Sequence, residues 1–385
     1  MKLLHTSDWH VGKTLKGQSR LDEQKAVLAE IVALATQHEV DAILIAGDIY
    51  ENVAPTAEAQ RLVVRTLMQL ARGGVEVIAI AGNHDHGPTF EAYRPLMGLA
   101  GIRLFGQVRS AGQGGSHRFT TRAGEEGIVA VLPFLSQRYA VRAAQVITNT
   151  PSQNVGAYDQ MIRDILINLT GGFSDQTVNL IMAHLTCTGG LFGGGERAAQ
   201  SIMEYHVPAG IFPIESHYVA LGHLHRRQRI PAPAPVHYSG SPIAVDFGEE
   251  ANISVVCLVE VTPDTPAKIT DLPITSGRRL RTITGTVADL LDDPDTYGHD
   301  YLRVWVRQAS YAGMRQELLD GLPNALEIRI DPAYALNPHQ GKEKALHGTK
   351  TPAQLFADYC AATGVDDRRV ARLFDELHDQ LSSRS

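Results

Sequence analysis

The hydrophobic positions of this chain fall into short unbroken runs separated by longer amphipathic stretches. Leu3-Leu4, Ala42 to Ala46 and Val75 to Ala81 are apolar runs of strand length. A run without alternation reads as a strand buried on both faces. Between the runs, Leu21, Leu28, Ile31, Val32 and Ala35 recur at helical spacing and predict an amphipathic helix over residues 20–38. Pro55-Thr56 opens a second helix with Leu62, Val63, Leu67 and Leu70 inward, and Gly73-Gly74 stops it. The order strand, helix, strand, helix, strand predicts parallel strands with right-handed crossovers and ligands at their carboxyl ends.

The same reading continues along the chain. Tyr93, Leu96, Met97 and Ala100 mark a shorter helix that leads into Ile102-Arg103-Leu104-Phe105. Ile128 to Phe134 and Val178 to Ala183 read as strands on either side of a helix over 151–170, whose inner positions are Met161, Ile165, Leu166 and Leu169. Tyr218 to Leu221 follows, and Val236-His237-Tyr238 and Ile253 to Val261 are expected to complete a second sheet. The fold class is therefore α/β, a two-layer β-sandwich core flanked by helices. Pro263 to Pro273 and Ser276-Gly277 mark a boundary, giving a main domain at 1–275 and a small α+β domain at 276–336. Residues 337–350 are polar and read as a linker. Thr351-Pro352-Ala353-Gln354 is a capping box, and Val370, Leu373, Phe374, Leu377 and Leu381 form an apolar stripe, so 351–385 should be terminal helices.

The chemistry sits where the strands stop. Asp8-x-His10, Gly47-Asp48, Gly82-Asn83-His84-Asp85, His184 and Gly222-His223-x-His225 each follow an apolar run directly. One such motif carries little weight among 16 histidines, but the set is expected on one rim. Oxygen from Asp8, Asp48 and Asn83 with imidazole from His10, His184, His223 and His225 suits manganese, iron or zinc. Seven ligands exceed the needs of one such ion. Two ions sharing a carboxylate would use them all, and ions about 3.5–4 Å apart suit displacement at phosphorus. His84, oriented by a carboxylate such as Asp85, could protonate the leaving oxygen or stabilise charge on the phosphoryl group. The alternative for His84 is an eighth ligand or a prop behind the ligands.

Composition changes the picture in three places. A net charge of −7 argues against a stand-alone DNA binder, although it leaves room for an enzyme whose metals or partner supply positive charge. Local basic residues, Arg226, Arg227 and Arg229, are candidate DNA contacts, with solvated charge as the alternative. Ser239 and Ser241 in Tyr238-Ser239-Gly240-Ser241-Pro242 could meet a phosphate, or simply form a tight turn. Three well-separated cysteines argue against a disulfide framework. No run approaches the roughly 18 apolar residues of a membrane span, and Met1-Lys2-Leu3-Leu4 opens no secretory segment, so the cytoplasm is the expected compartment.

Taken in this order, the motifs resemble the calcineurin-like metallophosphoesterase family. Leu4-His5-Thr6-Ser7-Asp8-Trp9-His10, Ala46-Gly47-Asp48-Ile49-Tyr50 and the long C-terminal extension are similar to its bacterial DNA-repair nucleases. The resemblance spans nearly the whole chain. It implies that Asp8, His10, Asp48 and His225 hold one divalent ion and that Asp48, Asn83, His184 and His223 hold the other, with His84 catalytic. It further implies manganese-dependent exonuclease and endonuclease cleavage of DNA, a DNA-capping role for residues 276–336, a homodimer near Tyr93 to Leu99, and docking of the terminal helices on an ABC-type ATPase. Archaeal and eukaryotic members carry a second functional histidine where this chain has Glu51. Of the alternatives, a protein phosphatase would carry Asp-Arg-Gly where Glu51-Asn52-Val53 stands, neither it nor a cyclic-nucleotide phosphodiesterase explains the capping-like domain and the terminal helices, and a non-catalytic scaffold would lack ligands that are complete here.

Overall fold

The computed structural model describes residues 1–135, 151–196 and 206–334, and beyond them residues 356, 360, 370, 373 and 374; for 151–157 it gives backbone alone. The expected linker 337–350 and the expected terminal helices lie outside these residues, apart from the last five. Met1–Asp331 is one compact unit and Pro332–Ser385 is a second, in which Phe356 stacks on Phe374.

The amino-terminal third alternates as its pattern requires. It runs β1 (Lys2–Thr6), a two-residue hairpin β2 (Thr14–Leu15) and β3 (Gln18–Ser19), α1 (Leu21–Gln37), β4 (Ala42–Ile45), α2 (Ala57–Leu70), β5 (Glu76–Ile80), α3 (Gly87–Gly98) and β6 (Ile102–Phe105). Thr56 caps α2 by accepting from the N–H of Ala59. Strands β1, β4, β5 and β6 are parallel neighbours, with Leu3 opposite Ala42 and Ala42 opposite Glu76. Helices α1 to α3 cover one face through Val27, Leu28, Ile31, Val63, Leu67 and Met97.

The second sheet contains β7 (Ser116–Thr120), β8 (Glu126–Leu132), β9 (Val178–His184), β10 (Tyr218–Gly222), β11 (Gln228–Ile230) and β12 (Val236–Tyr238), in the order β11-β12-β10-β9-β8-β7. Its four central strands are parallel and the edges β7 and β11 are antiparallel. Helix α4 (Pro151–Thr170) packs Ile162, Leu166 and Leu169 on its outer face. Leu3, Leu44, Ile78 and Ile80 meet Val129, Val131, Leu180, Met182 and Ala220 between the sheets. This places the carboxyl ends of β1, β4, β5, β9 and β10 at one rim.

Two expectations need correction. Strand β13 (Val255–Thr262) joins the first sheet, antiparallel to β1, instead of completing the second. It is apolar on both faces, so its pattern demands burial without saying between which neighbours. The stretch Pro263 to Pro273 is not an irregular boundary: residues Thr265–Pro273 form β14, the edge strand beside β13. Pro266 and Pro273 fall near its two ends, and an edge strand tolerates their missing N–H groups. Beyond it, β15 (Leu280–Gly285), α5 (Val287–Asp292), β16 (Tyr301–Val306), α6 (Met314–Gly321) and β17 (Ala325–Ile330) form a parallel three-stranded sheet with its own core of Ile283, Leu302, Val304, Leu290 and Leu318. Leu280 and Tyr301 seat it against Leu15 and Phe247.

Candidate metal centre

Four of the seven predicted ligands leave their strands in a bent backbone. Asp8, His10, Asp48 and His223 all have positive φ, at 53°, 46°, 51° and 104°. Non-glycine residues adopt this region at a cost, which the surrounding structure must outweigh. Here the loops after β1 and β4 zip together: the N–H groups of Asp8, His10 and Val11 donate to the carbonyls of Gly47, Asp48 and Ile49 at 2.9–3.0 Å. The side chains are thereby aimed into the rim instead of alternating across the sheet.

Seven ligand atoms converge there. Nε2 of His10 and Nε2 of His225 are 3.0 Å apart, and Asp8 completes their group. On the other side, Asn83 Oδ1 lies 2.9 Å from His184 Nε2 and 2.8 Å from His223 Nδ1, and the two imidazole nitrogens are 3.2 Å apart. Asp48 stands between the groups, with Oδ2 3.5 Å from His184 Nε2 and 3.8 Å from His10 Nε2. Its Oδ1 accepts from the N–H of His84 at 2.8 Å.

The far nitrogens decide what the near ones can do. His10 Nδ1 donates to Glu51 at 3.0 Å, His225 Nδ1 to Glu249 at 2.6 Å, and His184 Nδ1 to the carbonyl of Ala46 at 2.8 Å. In a neutral imidazole the second nitrogen is then a bare lone pair. Lone pairs of His10 and His225 therefore face each other, and that of His184 faces an amide oxygen. Such edges need a proton or a cation between them. The donor set and its spacing fit divalent ions, and the carboxylates and carbonyl behind the rings are the partners that orient metal-binding histidines.

Electrostatics agree. Burial would lower His184 and His225, but Asp48 beside the first and Glu249 beside the second raise both to about 9. Burial would raise Asp48, yet the imidazoles of His184, His10 and His84 hold it far below the usual carboxylate range. His223 is pushed well below its ordinary value by burial and by its neighbour His184. The cluster draws positive charge to itself.

Among the sequence-predicted residues, Asp8, His10, Asp48, Asn83, His84, His184, His223 and His225 come together at this rim. His84 is 7% exposed, with its ring edge-to-face against His10. The expected role of Asp85 is corrected: its carboxylate accepts the backbone N–H groups of Ile49, Tyr50 and Gly82, and the carbonyl of Glu51 orients His84 instead, accepting from Nδ1 at 2.6 Å. Burial and then the charge of Asp48 push Asp85 up to about 6 against those three donors. Ser239 and Ser241 are buried and serve as struts. Ser241 Oγ lies 2.7 Å from the carbonyl oxygens of both Asp8 and Ile243, which share its one proton, and Ser239 Oγ lies 2.8 Å from Ser7 Oγ. Arg227 is tied to Asp271 and to the carbonyls of Gln228 and Tyr238. These three are therefore withdrawn as DNA contacts, whereas Arg226 and Arg229 are exposed.

Sequence reasoning gives no role to Glu51, Glu249 or Glu196. Glu196 accepts the N–H groups of Gly193, Gly194 and His225 at 2.7–2.9 Å, which pins the glycine-rich loop beside the site. Glu249 ends the short helical turn Phe247–Glu249 capped by Asp246, a segment whose local pattern signals only a turn.

A family model described as calcineurin-like phosphoesterase matches residues 1–227. The chain is similar to the D component of the SbcCD nuclease of Bacillus subtilis, at 36% identity over 284 residues that cover 73% of this chain and 71% of that one. It is similar to the component of the same name in Rhodobacter capsulatus, at 34% identity over 262 residues, covering 65% and 64% of the two chains. The corresponding Escherichia coli K12 protein is 29% identical over 303 residues, covering 75% and 72%.

Proposed function

The chain belongs to the calcineurin-like phosphoesterases, and within them to the SbcD family of SbcCD nuclease components, and from that premise we propose that it is a two-metal DNA nuclease. In this reading it hydrolyses phosphodiester bonds as a 3′-to-5′ double-strand exonuclease and as a single-strand and hairpin endonuclease. It takes manganese, and it works in the cytoplasm at the nucleoid beside an SbcC-type ABC ATPase.

The observation that carries the reading is the pair of facing imidazole edges joined through Asp48. Asp8, His10, Asp48 and His225 would hold one ion and Asp48, Asn83, His184 and His223 the other. When bound, two such ions activate a water and neutralise charge on phosphate oxygens. The remaining work falls to the chain itself. Nδ1 of His84 donates to the carbonyl of Glu51, which leaves Nε2 as the nitrogen that would exchange a proton, 4.0 Å from Asp48 Oδ2. A protonated Nε2 there would deliver its proton to the leaving oxygen.

The partner assignments are part of the same proposal. Residues 276–336 would cap the DNA, and the segment 351–385 would dock on the ATPase. A homodimer would form through the end of α3 and its cap, where Leu96 and Leu99 are 62% and 87% exposed, close in sequence to the half-exposed Tyr93.

The test is to incubate the purified protein with manganese and labelled duplex DNA, hairpin DNA and a phosphopeptide, alone and with the ATPase. DNA should be cut. Hydrolysis of the phosphopeptide with both DNA substrates left intact in every arm would overturn the nuclease reading.

A further inference from the structure

Glu51 belongs to neither ligand set, yet it touches the site from two directions. Its Oε2 accepts from Nδ1 of His10 at 3.0 Å, while its backbone carbonyl accepts from Nδ1 of His84 at 2.6 Å. Lys13 Nζ holds Oε1 at 2.9 Å. The N–H of Glu51 donates to the carbonyl of Val11 at 3.1 Å, so the residue is fixed on the same backbone that carries His10. The rings of His10 and His84 then meet at 4.7 Å with an interplanar angle of 89°. One residue thus fixes the orientation of a metal-binding ring with its side chain and that of the proton-transferring ring with its main chain.

From this geometry we infer that Glu51 is the positioning residue that couples the first ion's ligand His10 to His84. The inference rests on the two-ion reading given above. A carboxylate behind a metal-binding histidine fixes its tautomer and raises its basicity, and loss of such a partner weakens the metal by about 10–100-fold. The effect should be one-sided. His184, in the second group, leans on the carbonyl of Ala46, and His223 uses the Nδ1 atom itself. Neither depends on Glu51. Lys13 makes the arrangement tolerable, because it partly neutralises a carboxylate beside an already acidic centre and pins it against rotation.

The experiment is manganese titration calorimetry on the full-length wild-type protein and on Glu51→Gln and Glu51→Ala, with thermal midpoints recorded alongside. Glu51→Gln keeps an oxygen for His10 but loses the charge, so one ion should weaken by about tenfold. Glu51→Ala removes the acceptor and should weaken the same ion by about 100-fold, with the other ion unchanged. At saturating manganese, kcat of Glu51→Ala on a small phosphodiester should stay about tenfold or more below wild type with KM unchanged, because the side-chain bonds to His10 and Lys13 that help the Val11 bond hold the carbonyl beneath His84 are gone. Wild-type affinity for both ions in both variants, equal weakening of both ions, or a fully restored kcat would each overturn the coupling. Failure of the wild-type protein to take up two ions would instead sink the two-metal reading, so the two failures are distinguishable.

Discussion

His84 and the metal-binding histidines share a rim but differ in where their near nitrogens lie. His84 Nδ1 donates to the carbonyl of Glu51, and its Nε2 lies 4.0 Å from Asp48 Oδ2, outside the 2.8–3.2 Å contacts among the ligand atoms of His10, His225, Asn83, His184 and His223. On this basis His84→Ala should reduce turnover by about 10²–10⁴-fold while two manganese ions still bind; calorimetry and a kinetic assay on one preparation check both halves. The charges on the ligand histidines also set a pH dependence. His184 and His225, raised to about 9, keep their protons below that pH, and an incoming ion needs the bare nitrogens. Manganese binding at neutral pH should therefore release protons, and affinity should rise with pH until it levels off near 9. Titration in buffers of different ionisation enthalpy measures the release directly, and a pH-independent affinity between 6 and 8 would contradict it. Most of these residues were legible in the sequence because a ligand at the end of a buried strand has no apolar role to fill. Glu51 and Glu249 were not, since their partners lie 41 and 24 residues away.

At the scale of elements, the site depends on how closely the strand ends approach one another. Gly82 follows β5, and a methyl group there would overlap the carboxylate and backbone nitrogen of Asp48; one on Gly222, at the end of β10, would overlap the carbonyl of Ala46. The two glycines let loops from both sheets meet over the rim. Gly82→Ala should therefore push Asp48 away from both groups and weaken both ions together, in contrast to the one-sided effect expected at Glu51. Circular dichroism should still report the folded sheets, because the clash is confined to loops beyond the hydrogen-bonded register of β5, which ends at Ile80. Two ions bound at wild-type affinity would show that the loops can give way. The helices and parallel strands were legible because period and caps are local. Sheet membership was not, and β13 shows why: an apolar run satisfies its burial equally well in either layer, and the long-range ladder with β1, from Lys2 opposite Glu260 to His5 opposite Cys257, selects one.

For the whole molecule, the question is what fixes the three-stranded unit to the phosphoesterase body. Composition suggests a break in the proline-containing stretch, but that stretch is a strand, and the joint lies just beyond it. There Glu30 accepts from the N–H groups of Thr275 and Ser276, and Glu23 accepts from the N–H of Arg278 at 2.6 Å. Arg20 underlies this joint. It is 1% exposed, grips Glu23 with two nitrogens at 2.6 and 2.9 Å, donates to the carbonyl of Ala244, and lies 5.7 Å from the centre of the Tyr301 ring. A buried ion pair adds little net stability, but removing one member strands the other charge, at a cost of about 3–5 kcal/mol. Arg20→Met should therefore lower the thermal midpoint by several degrees and expose residues 274–280 to limited proteolysis. The released three-stranded unit should persist for a time as a fragment, since it has its own core of Ile283, Val304 and Leu318. Adding Glu23→Leu removes the stranded carboxylate and should recover part of the loss, although the Arg278 N–H then lacks its acceptor. If the double variant is less stable than Arg20→Met alone, the bond from Glu23 to Arg278 outweighs the buried pair in holding the joint.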